Sequence, residues 1–185
     1  MLCQLNIINK KKYSLINKFK VKLVEIIRLV EEKISLNNLA WLEINKLLKA
    51  KPEQKKWQLN LILIDEKESQ QLNQQYRQKN YPANALTFPF ARFYQKELDT
   101  CEELGDIFLC YPLIQKQIQK MCQKEKILWP QYLLKREICL LFMHGIIHLF
   151  GCDHKKETEK QLIFAVQEEI INLLTEQEQK KAHHY

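Results

Sequence analysis

One eleven-residue window constrains this chain more than any other: His144-Gly-Ile-Ile-His148-Leu-Phe-Gly-Cys-Asp-His154. His144 and His148 are one helical turn apart, so on a helix their imidazoles share a face. Gly151 follows three residues later. It can take the left-handed backbone that ends a helix, and the chain can then return His154 toward the same point. Three neutral imidazoles at one corner with a fourth position open is the ligand set of a catalytic zinc. The expected ligands are therefore His144, His148 and His154, holding one Zn2+. Nickel, copper or cobalt would also accept all-imidazole ligation.

The same spacing occurs in metzincin proteases, where the residue after the first histidine is a glutamate general base. Here that residue is Gly145, which cannot move a proton. A peptidase loses its main argument. Gly145 either lets a neighbouring element pack closely or leaves room for substrate beside the metal. The chain has only two other glycines, Gly105 and Gly151. A sequence so sparing of glycine keeps them for geometry.

A chain of 185 residues that is 46% hydrophobic is long enough for one domain with a real core. Its net charge of +7 favours polyanionic partners, of which nucleic acid is the commonest. None of the six cysteines forms a C-x-x-C pair, and Cys110 and Cys139 sit in apolar runs that predict buried thiols. The lysine-rich start is unlike a signal peptide, and the longest apolar run, Ile138 to Phe150, is too short to span a bilayer. A cytoplasmic protein with free thiols and no membrane partner is expected.

Periodicity predicts strands at Leu2 to Ile8, Trp57 to Ile64, Leu86 to Phe90 and Ile107 to Cys110. Pro89 confines the third of these to an edge or a strand end. Helices are predicted at about Ser14 to Lys33, Leu39 to Leu48, Glu68 to Gln78, Tyr111 to Lys126, Pro130 through His148, and Lys155 to Gln179, with a loop at Pro52. The last helix is assigned an apolar stripe of Leu162, Ala165, Val166, Ile170 and Leu173, with Glu169 beside it. Asp106 reads as a turn residue at a strand start, and Asp153 as a turn or supporting carboxylate. Phe88 and Phe90 read as core, and His183 and His184 as solvated tail. The fold class is α+β, a small mixed sheet of about four strands covered by several helices, with the histidine helix over the sheet.

Four motifs in order resemble the YbeY family of bacterial rRNA maturation factors. They are Leu72-Asn73-Gln-Gln-Tyr76-Arg77-Gln-Lys79, Asn84-Ala-Leu86-Thr-Phe88-Pro89-Phe90, Leu104-Gly105-Asp106-Ile107, and the window His144 to His154 preceded by Arg136-Glu137-Ile138. The resemblance spans about Asp65 to His154 and leaves the lysine-rich residues 1–56 unmatched within a single domain of residues 1–185. The chain departs from the family pattern at three places. Cys152 replaces a tyrosine, Ala83 a threonine and Thr87 a serine. Cys152 loses an aromatic that could stack a base, or adds a thiolate that could close the metal site. Ala83 puts a local turn or a substrate hydrogen bond in doubt.

The resemblance implies a single-strand-specific, zinc-dependent endoribonuclease that trims ribosomal RNA, notably the 16S rRNA 3′ end, and serves ribosome quality control. Its implied partners are single-stranded RNA, ribosomal RNA and the small ribosomal subunit. Zinc lowers the pKa of bound water from about 15.7 to about 7, so a hydroxide can attack the phosphodiester; alternatively the metal steadies a phosphate oxygen while the ribose 2′-OH attacks. Arg77 is the candidate for the charge that builds on phosphorus oxygens, because its planar fork grips two of them. The competing expectation is a ribosome-assembly RNA-binding factor whose zinc is structural, with a closed fourth ligand such as Cys152. The sequence leaves oligomeric state open.

Overall fold

The alternation of Trp57, Leu59, Leu61 and Leu63 with Gln58, Asn60 and Ile62 sorts the central strand into a buried and an open face, and the rest of the molecule is arranged around that sorting. The structure is a computed structural model that describes residues 3–13, 20–35, 56–90, 101–128, 130–152 and 156–182. Four strands, β1 (Cys3–Ile8), β2 (Lys56–Ile64), β3 (Ala85–Pro89) and β4 (Cys101–Cys110), form one sheet in the order β1-β2-β4-β3. β1 and β4 both run parallel to β2, and β3 is antiparallel to β4. The five described helices are α1 (Lys20–Ser35), α2 (Glu66–Arg77), α3 (Tyr111–Glu125), α4 (Pro130–Leu149) and α5 (Glu157–Ala182). This is the α+β fold with a four-stranded mixed sheet that the sequence predicts.

Register puts Leu5, Leu59 and Gly105 in one row and Ile7, Leu61 and Ile107 in the next, all facing the helices. α4 lies across β3 and β4 and is itself flanked by α1, α3 and α5. Gly145 makes that approach possible: a Cβ there would sit 2.8–3.0 Å from the Ile107 side chain. The packing explanation for this glycine is thus the one observed. One turn on, Leu149 reaches Gly105, and Phe150 meets Trp57 edge-to-face at 5.0 Å.

The opposite face of the sheet carries a polar row. Asn6 donates to Asn60 (3.1 Å), and Asn60 donates to Asp106 (2.8 Å). Asp106 is therefore a mid-strand residue and not the turn residue expected from the sequence. Its strand begins at Cys101, six residues before the predicted start, because a bulge at Leu104 lets the strand pass through Gly105, whose φ is +143°. β3 is an edge strand, as Pro89 requires.

The predicted stripe on α5 is rotated. Val166 and Ile170 face the core as expected, but they are joined by Ile163, Gln167, Ile171 and Leu174, while Ala165 is exposed and Leu162, Glu169 and Leu173 are half-buried. Leu162 through Val166 is apolar without interruption, so periodicity alone cannot choose the inner face. The expected helix at Leu39 to Leu48 and the Pro52 loop lie outside the described residues, as do Leu2, Leu15, Phe19, Asp153, His154, His183 and His184.

Candidate metal and RNA site

The end of α4 builds the site. Gly151 adopts φ +81° and donates to the carbonyl of His148 (2.8 Å), while the Cys152 amide donates to Ile147 (3.2 Å). These two reverse bonds are the Schellman pattern that closes a helix. The same turn brings the Cys152 carbonyl to 2.7 Å from His148 Nδ1. A carbonyl only accepts, so Nδ1 carries the proton and Nε2 of the neutral ring presents its lone pair.

Nε2 of His148 lies 3.0 Å from Nε2 of His144, the ring centroids 4.5 Å apart and nearly perpendicular at 88°. His144 either donates across that gap or turns its own lone pair to the same point. Two nitrogens on one tetrahedral zinc, each at 2.0–2.1 Å, stand about 3.3–3.4 Å apart. The pair fits such an ion with a shift of a few tenths of an ångström. A metal-ligating histidine typically gives its other ring nitrogen to a carbonyl or carboxylate, and the Cys152 carbonyl fills that role for His148.

His154, the third expected ligand, lies outside the described residues. Among the described residues no group of three His, Cys, Asp or Glu converges. Cys152 in particular does not join the histidine pair. Its side chain is 1% exposed and belongs to the core cluster of α4, α5 and the sheet. What Cys152 gives His148 is its backbone carbonyl.

Arg77 ends α2, exposed, with no hydrogen bond or ion pair among the described residues. Among the described residues no hydrogen bond or ion pair joins it to His144 or His148. Its neighbour Tyr76 (59% exposed) packs edge-to-face on Phe88 at 4.8 Å, and Phe88 on Phe108 at 5.5 Å. Phe88 is therefore half-buried in an aromatic row beside the polar face and not in the main core; Phe90 is half-buried too. A Cβ at Gly105 would meet the Phe88 carbonyl, Pro89 and Leu149, so the glycine lets β3, β4 and the end of α4 close on one another. Arg77 thus sits on α2, beside Tyr76 and β3, while His144 and His148 sit on α4.

The loop after α2 is held without help from residue 83. Ser69 and Asn73 are fully buried on α2. The Ser69 hydroxyl donates to the Ala83 carbonyl (2.7 Å) and accepts from the Ala83 amide (2.9 Å), and Asn73 donates to the Tyr81 carbonyl (2.7 Å). The turn put in doubt by the Ala83 departure is intact, because its bonds are to backbone.

Sequence reasoning passed over a cleft between α4 and α5. About 260 Å³ in volume, it is lined by Glu137, Leu140, Leu141 and His144 from α4 and by Phe164, Gln167 and Glu168 from α5. Glu137, Leu141 and His144 share a face at helical spacing. Burial raises the Glu137 carboxyl above the usual range, against a smaller opposing pull from Arg136. Arg136 itself grips Glu168 at 2.5 and 2.6 Å. Gln167 is 3% exposed; its Nε2 donates to the Leu140 carbonyl (2.9 Å), and its Oε1 is buried with no donor among the described residues. An orphaned buried acceptor costs about 1–3 kcal/mol. The signal available in the sequence was Gln167 itself, a polar residue at the apolar spacing of Ile163, Ile170 and Leu174.

No described helix is long and apolar enough to cross a membrane. The family model described as Endoribonuclease YbeY matches residues 25–175, reaching upstream of the four motifs into α1. The Endoribonuclease YbeY of onion yellows phytoplasma (strain OY-M) is 36% identical over 120 residues, which cover 65% of this chain and 75% of the relative. That of Spiroplasma citri is 32% identical over 118 residues, covering 62% and 69%. A solution structure of TM1509 from Thermotoga maritima is similar with a TM-score of 0.50 at 21% identity, over 94% of this chain and 93% of that one, a likeness of fold alone. From its matched length and its relatives, the chain belongs to the YbeY endoribonuclease family.

Proposed function

We propose that this protein is a zinc-dependent endoribonuclease specific for single-stranded RNA, acting in the cytoplasm on ribosomal RNA, the 16S rRNA 3′ end in particular, and in quality control of the small ribosomal subunit. One observation carries the metal-centre reading: Nε2 of His144 and Nε2 of His148 stand 3.0 Å apart while the other nitrogen of His148 is tied to a carbonyl. His144, His148 and His154 are the proposed ligands of one zinc. When bound, zinc supplies Lewis acidity toward a phosphate oxygen and acidifies water.

The chain's own groups do the rest. The net charge of +7 attracts the RNA backbone. Cleavage of a phosphodiester builds negative charge on the non-bridging oxygens, and Arg77, with no carboxylate partner among the described residues, is the proposed fork for it. Exposed Tyr76 beside it offers a ring for a neighbouring base.

The test combines zinc content with cleavage of single- and double-stranded RNA, before and after chelation. Wild type should hold one zinc per chain and cut only the single strand, and chelation should stop it. His144→Ala should lose both metal and activity. One zinc per chain retained in that variant, or undiminished cleavage after chelation, would refute the reading.

A further inference from the structure

We infer that the cleft between α4 and α5 is a base-binding subsite that selects nucleobases carrying an exocyclic amine. The inference rests on the reading of His144 and His148 as the cutting centre, because His144 forms one end of the cleft.

Three features define the occupant. The first is size. At about 260 Å³ the cleft falls just under the roughly 300–1,000 Å³ of sites for drug-sized ligands, which suits one planar ring system. The second is a platform. Phe164 lines the cleft yet is 62% exposed, a ring with a free face of the kind on which single-stranded RNA bases stack. The third is the polar lining, which is acceptor-rich. Gln167 Oε1 lies buried without a donor among the described residues, and its orientation is fixed because the Leu140 carbonyl can bond only to the amide nitrogen. Glu137 adds a carboxyl, while that of Glu168 is held by Arg136.

A phosphate is a poor occupant beside the Glu137 carboxyl and the unsatisfied Gln167 acceptor, since neither offers it a donor. A base edge bearing N–H groups is a good one. Adenine, cytosine and guanine each bring an amine; uracil brings only its ring N–H and two carbonyls, which the Gln167 and Glu137 oxygens disfavour. The subsite therefore places an amine-bearing base next to His144 and leaves the phosphate to the histidine end of the cleft. Phe164 supplies affinity without regard to sequence, and Gln167 supplies the choice of base.

The test measures binding, so it does not depend on cleavage. The zinc-loaded full chain is titrated with cleavage-resistant 2′-O-methyl pentamers of adenosine, of purine riboside (adenosine without its amine) and of uridine. Wild type should bind the adenosine strand roughly three- to tenfold more tightly than the other two, the value of one hydrogen bond. Gln167→Leu should erase that gap, and Phe164→Ala should weaken all three by at least about fivefold, the loss of one stacking contact. Equal affinity of wild type for adenosine and purine riboside strands would overturn the inference; that comparison needs no variant and is immune to misfolding. A gap that persists in folded Gln167→Leu would overturn it too. Absent RNA cleavage by wild type with the binding gap intact would instead count against the cutting centre alone.

Discussion

The backbone carbonyl of Cys152 and the Nδ1 of His148 are 2.7 Å apart, so the turn that ends α4 also fixes which nitrogen of His148 is free. Helix termination and ligand orientation are one structural event: the amide of Cys152 closes the helix on Ile147 while its carbonyl holds the ring. The side chain takes no part in either bond. Cys152→Ala should therefore keep one zinc per chain and near wild-type cleavage, at a cost of about 1 kcal/mol for the lost buried sulfur. Metal content by mass spectrometry decides it. Loss of zinc in this variant would make the thiol a ligand and favour a closed, structural metal.

Gly145 is a packing residue, and its test is steric. Alanine gains about 1 kcal/mol in helix propensity, but its Cβ would meet three Ile107 carbons at 2.8–3.0 Å, and overpacking costs about 1–3 kcal/mol. Gly145→Ala alone should lower Tm by a few degrees. Adding Ile107→Val, which removes Cδ1, should recover part of the loss. A single variant as stable as wild type would show that the β4–α4 approach has slack, and the glycine would need another reason.

How far the sequence reveals this molecule depends on how local the determining physics is. The strands of the sheet, the α4 helix and its stop at Gly151 follow from alternation, helical spacing and one left-handed glycine, all readable within a dozen residues. The pairing of His144 with His148 follows from i,i+4 geometry. The N-terminal extension of β4 does not, because the bulge at Leu104 exists only through pairing with Gln58 and Leu59, far away in the chain. Nor does the α5 face, where continuous apolar residues let tertiary contacts choose. The α4–α5 cleft was illegible for the same reason: it needs Glu137 and Gln167, thirty positions apart, on facing helices.

Glu137 gives the cleft a pH signature. Its carboxyl is raised above the ordinary value of 4.5, with burial the larger cause and Arg136 the opposing one; Arg136, Glu168 and His144 are the charged or titratable neighbours around the cleft. A raised folded pKa means the folded state binds more protons than the unfolded one above pH 4.5. Stability from this group is then fully present below that pH and is lost as pH climbs through the folded value. Glu137→Gln removes the penalty. The variant should match wild type near pH 4 and exceed it at pH 8 by up to a few degrees in Tm. Thermal melts across that range check it. A Tm difference that does not change with pH would mean Glu137 ionises in the fold as it does in water.

Arg77 allows phosphate handling to be tested apart from metal chemistry, because it lies on α2 while the histidine pair lies on α4. An exposed arginine with no partner among the described residues contributes little to the fold, so Arg77→Ala should leave folding stability within about 0.5 kcal/mol of wild type. Zinc content should be unchanged, since the substitution touches neither histidine. Cleavage of single-stranded RNA should fall by about 10²-fold, the scale on which a donor facing developing oxyanion charge contributes. Arg77→Lys should recover only part of the rate, because a point charge cannot reproduce the bidentate fork. A variant that keeps zinc and cuts RNA at the wild-type rate removes Arg77 from the reaction and leaves the phosphate charge to another cation.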